Sequence, residues 1–227
     1  SEVANALVHT DVPLAIVPVG TGNGLARALE IPLNIADSIQ VLGEENRIQT
    51  IDAMRIGSEQ YFILTVSAGI SARSMEETEA EDKQATGLLA YFRTITEGMM
   101  EAKPLKFRLE IDGHRFGVDA VEVLIMNGNF LKKRLDIFGD AESLSDGTLE
   151  VNLVTADEPS KFVGLALDLL VNPDKLDKEM QDLKIHESIL IEVEGEQVAV
   201  QGDGELIGET PVEIRVEPAA LKVVTAA

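Results

Sequence analysis

The sequence predicts two kinds of structure in series: an α/β portion over residues 1–50, then a β-rich portion with helical insertions. Three observations carry this expectation. The glycine turn Gly20-Thr21-Gly22-Asn23-Gly24 lies between a continuous apolar run, Leu14–Val19, and a helix starting near Leu25, which is strand-turn-helix order. From residue 50 onward, short apolar runs alternate with Asp-Gly and other turn signals. The chain has 227 residues, 45% of them hydrophobic, which is enough for a sizeable core.

Taken in order, residues 3–8 read as the tail of a helix, and Leu14–Val19 as a buried parallel strand. Asn34 is placed to cap a short helix through Val41. Arg47–Ile56 and Tyr61–Ser67 read as single strands. Lys106–Ile111 and Gly117–Met126 read as a hairpin turning at Asp112-Gly113. Leu149–Val154, Ile189–Val193, Gln197–Gln201 and Val212–Val216 continue the series, with a second tight turn at Asp203-Gly204. A sandwich or barrel follows from so many short strands. The helical insertions are a stripe of Leu88, Tyr91, Phe92, Ile95 and Met99, expected to cover core, and the apolar segment Phe162–Val171, stopped by Asn172-Pro173.

Charge and composition exclude several functions. Nineteen Lys and Arg stand against 40 Asp and Glu, a formal charge of −21 that repels nucleic-acid backbones and disfavours adsorption to anionic lipid. Membrane contact is thereby limited to local or transient association at the surface. With no Trp and two Tyr, stacking platforms for bases are scarce. No apolar run reaches 18 residues. The absence of cysteine removes disulfides and thiolate metal sites, which fits a reducing cytoplasm. His9, His114 and His186 lack ligand spacing, and the acidic run Glu76, Glu77, Glu79, Glu81 and Asp82 reads as a solvated loop.

Three segments have chemistry within reach. Glycines at 20, 22 and 24 let backbone approach a ligand, and N–H groups opening the following helix favour an anion; Thr21 and Asn23 add directional hydrogen bonds. The spacing differs from the Gly-x-Gly-x-x-Gly of dinucleotide folds. Asp203-Gly204-Glu205 is either a plain hairpin turn or a turn presenting a carboxylate to a hydroxyl, where it can orient that group and accept its proton. Asp146-Gly147 is either a turn or part of a cation site.

These segments, in this order, resemble the diacylglycerol kinase catalytic family, which includes bacterial lipid kinases and is related to sphingosine kinases and NAD kinases. Gly20-Thr21-Gly22-Asn23-Gly24-Leu25-Ala26-Arg27 is similar to its second signature. Ser1–Leu7, Ile51-Asp52-Ala53, Ser67–Ala72, Asn127-Gly128-Asn129, Ser145–Val151 and Gly202–Glu205 match further segments. The resemblance implies a partial α/β nucleotide-binding domain over 1–50, a β-sandwich over 51–211, and a tail, 212–227, returning to the first domain. It implies transfer of the γ-phosphoryl group of ATP to a lipid alcohol. Gly20, Thr21, Gly22 and Asn23 would serve the nucleotide; Glu205 would accept the proton within the catalytic segment Asp203-Gly204-Glu205. Asp146 would hold Mg²⁺ together with main-chain carbonyls near Ser143 and Thr148.

The chain departs from the family in three places. The Gly-Gly-Asp-Gly-Thr loop is expected before Ser1, so these 227 residues alone are expected to have negligible kinase activity. Gly24 stands where many members have Asp, and the segment 130–144 carries Lys132, Lys133 and Arg134 where members are often rich in Gly and Pro. Two other readings compete: a nucleotide- or metal-binding regulatory protein without turnover, and a β-sandwich interaction module. The acceptor lipid and a homodimer are left open.

Overall fold

The structure, a computed structural model, describes residues 2–20, 23–43, 46–72, 103–128, 143–154 and 183–226. Three short helices come first: α1 (Glu2–Leu7), α2 (Gly24–Ala28) and α3 (Ile35–Gln40). The strands are β1 (Asn46–Ile56), β2 (Gln60–Phe62), β3 (Thr65–Gly69), β4 (Leu105–Ile111), β5 (His114–Ala120), β6 (Glu122–Asn127), β7 (Leu149–Val154), β8 (Leu183–Ile185), β9 (Ser188–Val193), β10 (Ala199–Gly202), β11 (Glu205–Glu209) and β12 (Val212–Ala226). A 3₁₀ turn at Ser143–Ser145 precedes β7.

The strands form two antiparallel six-stranded sheets, ordered β2-β1-β12-β9-β4-β5 and β11-β10-β3-β6-β7-β8. Alternating side chains from both fill one core. Met54, Phe107, Leu109, Ile189, Ile191 and Ile214 come from the first sheet, and Val66, Val123, Ile125, Leu149, Ile185 and Val200 from the second. Each such side chain stabilises the sandwich by roughly 1.5–3 kcal/mol on leaving water. A second core gathers Ala4, Val8, Ala26, Ala28, Leu29 and Ile31 of the N-terminal segment against Ile51, Ala53, Leu221 and Val223. Strands β1 and β12 therefore serve both cores.

The fold class is as the sequence predicts, and the differences lie in single elements. Tyr61–Ser67 is not one strand: β2 belongs to the first sheet and β3 to the second, with Ile63 and Leu64 crossing between them. Gly117–Met126 breaks in the same way at Val121, whose N–H turns to the carbonyl of Val154 at 2.7 Å. Each break is a corner where the chain changes sheets, and continuous apolar character hides it. Leu14–Val19 is not a buried strand. Among the described residues it joins the sheet only through Leu14, bridged in parallel to Val223, and Val17 and Val19 remain exposed. The stripe 88–99, the apolar segment 162–171, the acidic run 76–82 and the basic residues 132–134 lie outside the described residues.

The predicted cap of α3 is present: Asn34 Oδ1 accepts from the backbone N–H groups of Ala36 and Asp37 at 2.8 and 3.3 Å. Strand β12 pairs with β9 over Val212–Arg215 and with β1 from Ile214 to Ala226. Beyond the sandwich it meets the N-terminal segment, where His9 N–H donates to Ala220 and Leu14 N–H to Lys222, both at 2.8 Å.

Candidate functional site

The turn between β10 and β11 is built by Asp203 and Gly204, both with positive φ, +48° and +86°. Such a two-residue turn needs a residue tolerant of the left-handed region followed by glycine, and Asp-Gly supplies both. The Asp203 carboxylate reaches across to the corner between β2 and β3. Its Oδ2 accepts from Ile63 N–H at 2.7 Å, and its Oδ1 from Leu64 and Thr65 N–H, each at 2.9 Å. Asp203 N–H donates back to Thr65 at 2.9 Å. Three donors, two at the crossing between the sheets and one opening β3, are thus satisfied by one side chain. Both carboxylate oxygens are taken up by the backbone, so the geometry gives Asp203 a holding task, while Glu205, exposed, opens β11 directly beyond the turn.

The same corner is held from behind. Asn127 Nδ2 donates to the carbonyls of Ile63 at 3.0 Å and Asp52 at 2.8 Å, and Asn127 N–H donates to Leu64 at 2.9 Å. The buried Asp52 side chain accepts from Gly147 N–H at 2.7 Å and Ala219 N–H at 2.8 Å. The second of these bonds fixes the irregularity where β12 shifts register against β1. In front, Asn5 of α1 exchanges two hydrogen bonds with the backbone of Tyr61, at 2.7 and 2.8 Å. One continuous network therefore joins Ile51-Asp52-Ala53, Asn127, the turn after Ser145 and Asp203-Gly204-Glu205. In the sequence these segments stand apart, and nothing there assigns a role to Asp52, Asn127 or Asn5. The available signal was Asp52, a carboxylate in the middle of an apolar strand.

Beneath β10 lies a buried polar cluster. Gln201 Nε2 donates to Ser67 Oγ and Ser71 Oγ, each at 3.1 Å, and the two hydroxyls are 2.9 Å apart. Ser71 also donates to Glu122 through its hydroxyl and, at 3.0 Å, its N–H. Burial pushes the Glu122 carboxyl above its ordinary value, and the hydrogen bonds from Ser71 and Ser67 offset this only in part. Gly69, at φ +136°, lies where any Cβ would meet the Val121 carbonyl and the Glu122 side chain.

The Asp146 turn has a different chemistry from the one the resemblance implies. Asp146 Oδ1 accepts from Thr148 N–H and hydroxyl at 2.9 and 2.7 Å, and Oδ2 pairs with Lys184 Nζ at 3.2 Å. Lys184 Nζ also donates to Thr148 Oγ1 at 3.1 Å. Ser145 Oγ donates to the Thr50 carbonyl at 2.9 Å, and Leu144 is fully buried. Magnesium takes six oxygen ligands, whereas here one carboxylate is already paired with an ammonium. Among the described residues no group of three or more His, Asp or Glu could hold a metal ion. The Asp146 carboxylate does not fit a divalent ion as it stands, since Thr148 occupies one of its oxygens and Lys184 the other.

The glycine turn is described only at its ends, since Thr21 and Gly22 lie outside the described residues. Asn23, at φ +52°, folds back on Gly20: its Oδ1 accepts from Gly20 N–H at 2.9 Å and its Nδ2 donates to Gly20 O at 2.8 Å. It makes no side-chain cap to α2.

The two-sheet sandwich shares strands β1 and β12 with the helical N-terminal segment, and an Asp-Gly-Glu turn is locked at its sheet corner. The chain shares its fold with a crystal structure of a diacylglycerol kinase from Bacillus anthracis, at 23% identity and a TM-score of 0.71, covering 98% of this chain and 72% of that one. Residues 64–225 match the family of the YegS C-terminal NAD kinase beta sandwich-like domain, and residues 1–56 match the diacylglycerol kinase catalytic domain. The chain belongs to this lipid-kinase family. It is 26% identical to "Diacylglycerol kinase" of Mycobacterium tuberculosis over 98% of this chain and 72% of the relative. It is 34% identical to "Probable lipid kinase YegS-like" of Serratia proteamaculans over 64% of this chain and 47% of the relative. An uncharacterized Synechocystis protein is 26% identical over 98% of this chain and 52% of its own length. The chain thus spans from about half to under three quarters of the length of these relatives.

Proposed function

We propose that the protein to which this chain belongs is an ATP-dependent lipid kinase, transferring the γ-phosphoryl group of ATP to a lipid hydroxyl. Such transfer depends on positioning and charge neutralisation more than on covalent chemistry, so what the protein must supply is a fixed carboxylate at the attacking hydroxyl. The observation that carries the reading is the Asp203 clamp. Three backbone bonds hold a two-residue turn rigid, and Glu205 is the first residue beyond it. In this reading Glu205 orients the acceptor hydroxyl and takes its proton, and Asp203 acts through Glu205 as a positioning residue.

ATP enters with its own magnesium as substrate, and the turn Gly20, Thr21, Gly22 and Asn23 serves it in this reading. No step is assigned to a second ion at Asp146, because Lys184 already pairs with that carboxylate. Residues 1–50 serve as the nucleotide side, 51–211 as the sandwich and 212–227 as the strand that returns. The acceptor is a lipid alcohol met at a membrane surface; among the described residues no helix is long and apolar enough to cross a membrane.

The test is mass-spectrometric product identification with ATP and a panel of diacylglycerol, sphingoid and other lipid alcohols, on the whole protein to which this chain belongs, as wild type and as Glu205→Gln. A phosphorylated lipid whose formation falls by about 10²–10⁴-fold in a folded Glu205→Gln variant supports the reading. A wild type that binds Mg-ATP but phosphorylates nothing in the panel overturns it in favour of a regulatory protein.

A further inference from the structure

We infer that the ε-ammonium of Lys184 is the resident cation of the Asp146 turn, in the place where the resemblance would put magnesium. The turn is pinned on two sides by backbone and hydroxyl bonds: Ser145 to the Thr50 carbonyl and Gly147 N–H to the Asp52 carboxylate. Its third side faces β8, which pairs with β7 so that Lys184 stands opposite Glu150. From there the Lys184 ammonium reaches the two side-chain oxygens the turn offers outward, Asp146 Oδ2 at 3.2 Å and Thr148 Oγ1 at 3.1 Å. The remaining carboxylate oxygen, Oδ1, is occupied by Thr148 N–H and hydroxyl.

This arrangement does the work a bound ion would do. It neutralises the turn carboxylate and ties the loop to the adjoining strand, with the cation supplied by the chain itself. A tethered ammonium is not lost to dilution or to a chelator. It also opposes a second cation, because a divalent ion at these oxygens would sit beside a like charge. Lys184 and Asp146 are each little more than one third exposed, so water screens the pair in part; the latch holds a loop in place rather than contributing a large share of stability.

The test uses the chain without nucleotide or lipid, so its outcome is independent of whether phosphoryl transfer occurs. Thermal unfolding midpoints are measured in EDTA and in millimolar MgCl₂ or MnCl₂, and bound Mn²⁺ is followed by electron paramagnetic resonance. The expected midpoint is the same in all three solutions, with no Mn²⁺ signal that Asp146→Asn removes. Lys184→Met is expected to lose about 2 °C and to gain a weak, Asp146-dependent Mn²⁺ signal, whereas Lys184→Arg keeps the cation and stays indifferent to metal. Stoichiometric Mn²⁺ binding by wild type that Asp146→Asn abolishes would overturn the inference. So would a folded Lys184→Met chain as indifferent to Mn²⁺ as wild type. If Lys184→Met does not fold, the wild-type and Lys184→Arg measurements decide alone.

Discussion

The two sheets of the sandwich carry the same hairpin, and only one of them is a candidate for chemistry. Asp112-Gly113 joins β4 to β5 with φ values of +47° and +80°; Asp203-Gly204 joins β10 to β11 with +48° and +86°. Each aspartate takes three successive backbone N–H groups at the start of the neighbouring strand, Oδ2 the first and Oδ1 the next two. For Asp112 these are His186, Glu187 and Ser188 at 2.9, 2.9 and 3.0 Å; for Asp203 they are Ile63, Leu64 and Thr65. Each then donates its own N–H to the third of those residues. An Asp-Gly turn in this fold is therefore a structural clamp first. What separates the two is their surroundings: Glu205 follows one and His114 the other, and only the first stands over the Ser67, Ser71, Glu122 and Gln201 cluster, backed by Asn127 and Asn5.

The sharpest way to break this comparison is to exchange side chains just after the two turns. Glu205→Gln is expected to cost about 10²–10⁴-fold in lipid phosphorylation, while His114→Gln, at the equivalent position, stays within about twofold; equal losses would dissolve the distinction. Cutting the clamps gives the next largest effect, read by urea unfolding. Asp203→Ala leaves three partly buried donors without an acceptor and is expected to cost roughly 3 kcal/mol, against roughly 1–2 kcal/mol for Asp112→Ala, whose donors lie nearer the surface.

The cluster beneath Gln201 supplies a third contrast. Because the folded-state value of Glu122 is raised above 4.5, the folded chain keeps a proton that the unfolded chain releases. Stability consequently falls as pH rises from that value toward the raised one. Glu122→Gln, already neutral, should flatten this slope, with the advantage over wild type widening toward alkaline pH. The smallest effect belongs to Asp112. Burial pulls its carboxyl upward, but the N–H groups of His186, Glu187 and Ser188 and the His186 ring outweigh this and leave it below its ordinary value. Its contribution is thus complete above about pH 3.9 and disappears only as pH falls through the depressed value. A carboxyl titration by NMR that placed Asp112 above the ordinary value would contradict the clamp.

Much of this was legible in the sequence, for identifiable reasons. Both Asp-Gly turns, the Asn34 cap and strand β1 depend on residues a few positions apart, and short-range chemistry is what a single sequence displays. The sheet corners at Ile63-Leu64 and Val121 were not legible. An apolar run looks the same whether it stays in one sheet or crosses to the other, and the deciding partners, Asp203 and Val154, are 140 and 33 positions away. Leu14–Val19 failed for a related reason: apolar character reports a preference for burial, not whether neighbours exist to provide it. At the candidate site, residue types at Asp203 and Asp146 were found by resemblance. Their occupation by backbone N–H groups and by Lys184 depends on tertiary approach.

Strand β12 has a consequence for how the molecule comes apart. Because Ile214 packs in one core and Leu221 and Val223 in the other, fraying of the strand at either core removes a wall from its neighbour. The N-terminal segment and the sandwich are then expected to open as one cooperative unit, with amide protons of β12 exchanging at nearly a common, slowest rate along its length. Motions of the N-terminal segment and of the sandwich are in this sense expected to be geared together: a displacement felt at Leu14 is carried along a single backbone through β12 to β11, which opens with Glu205 and pairs with β10.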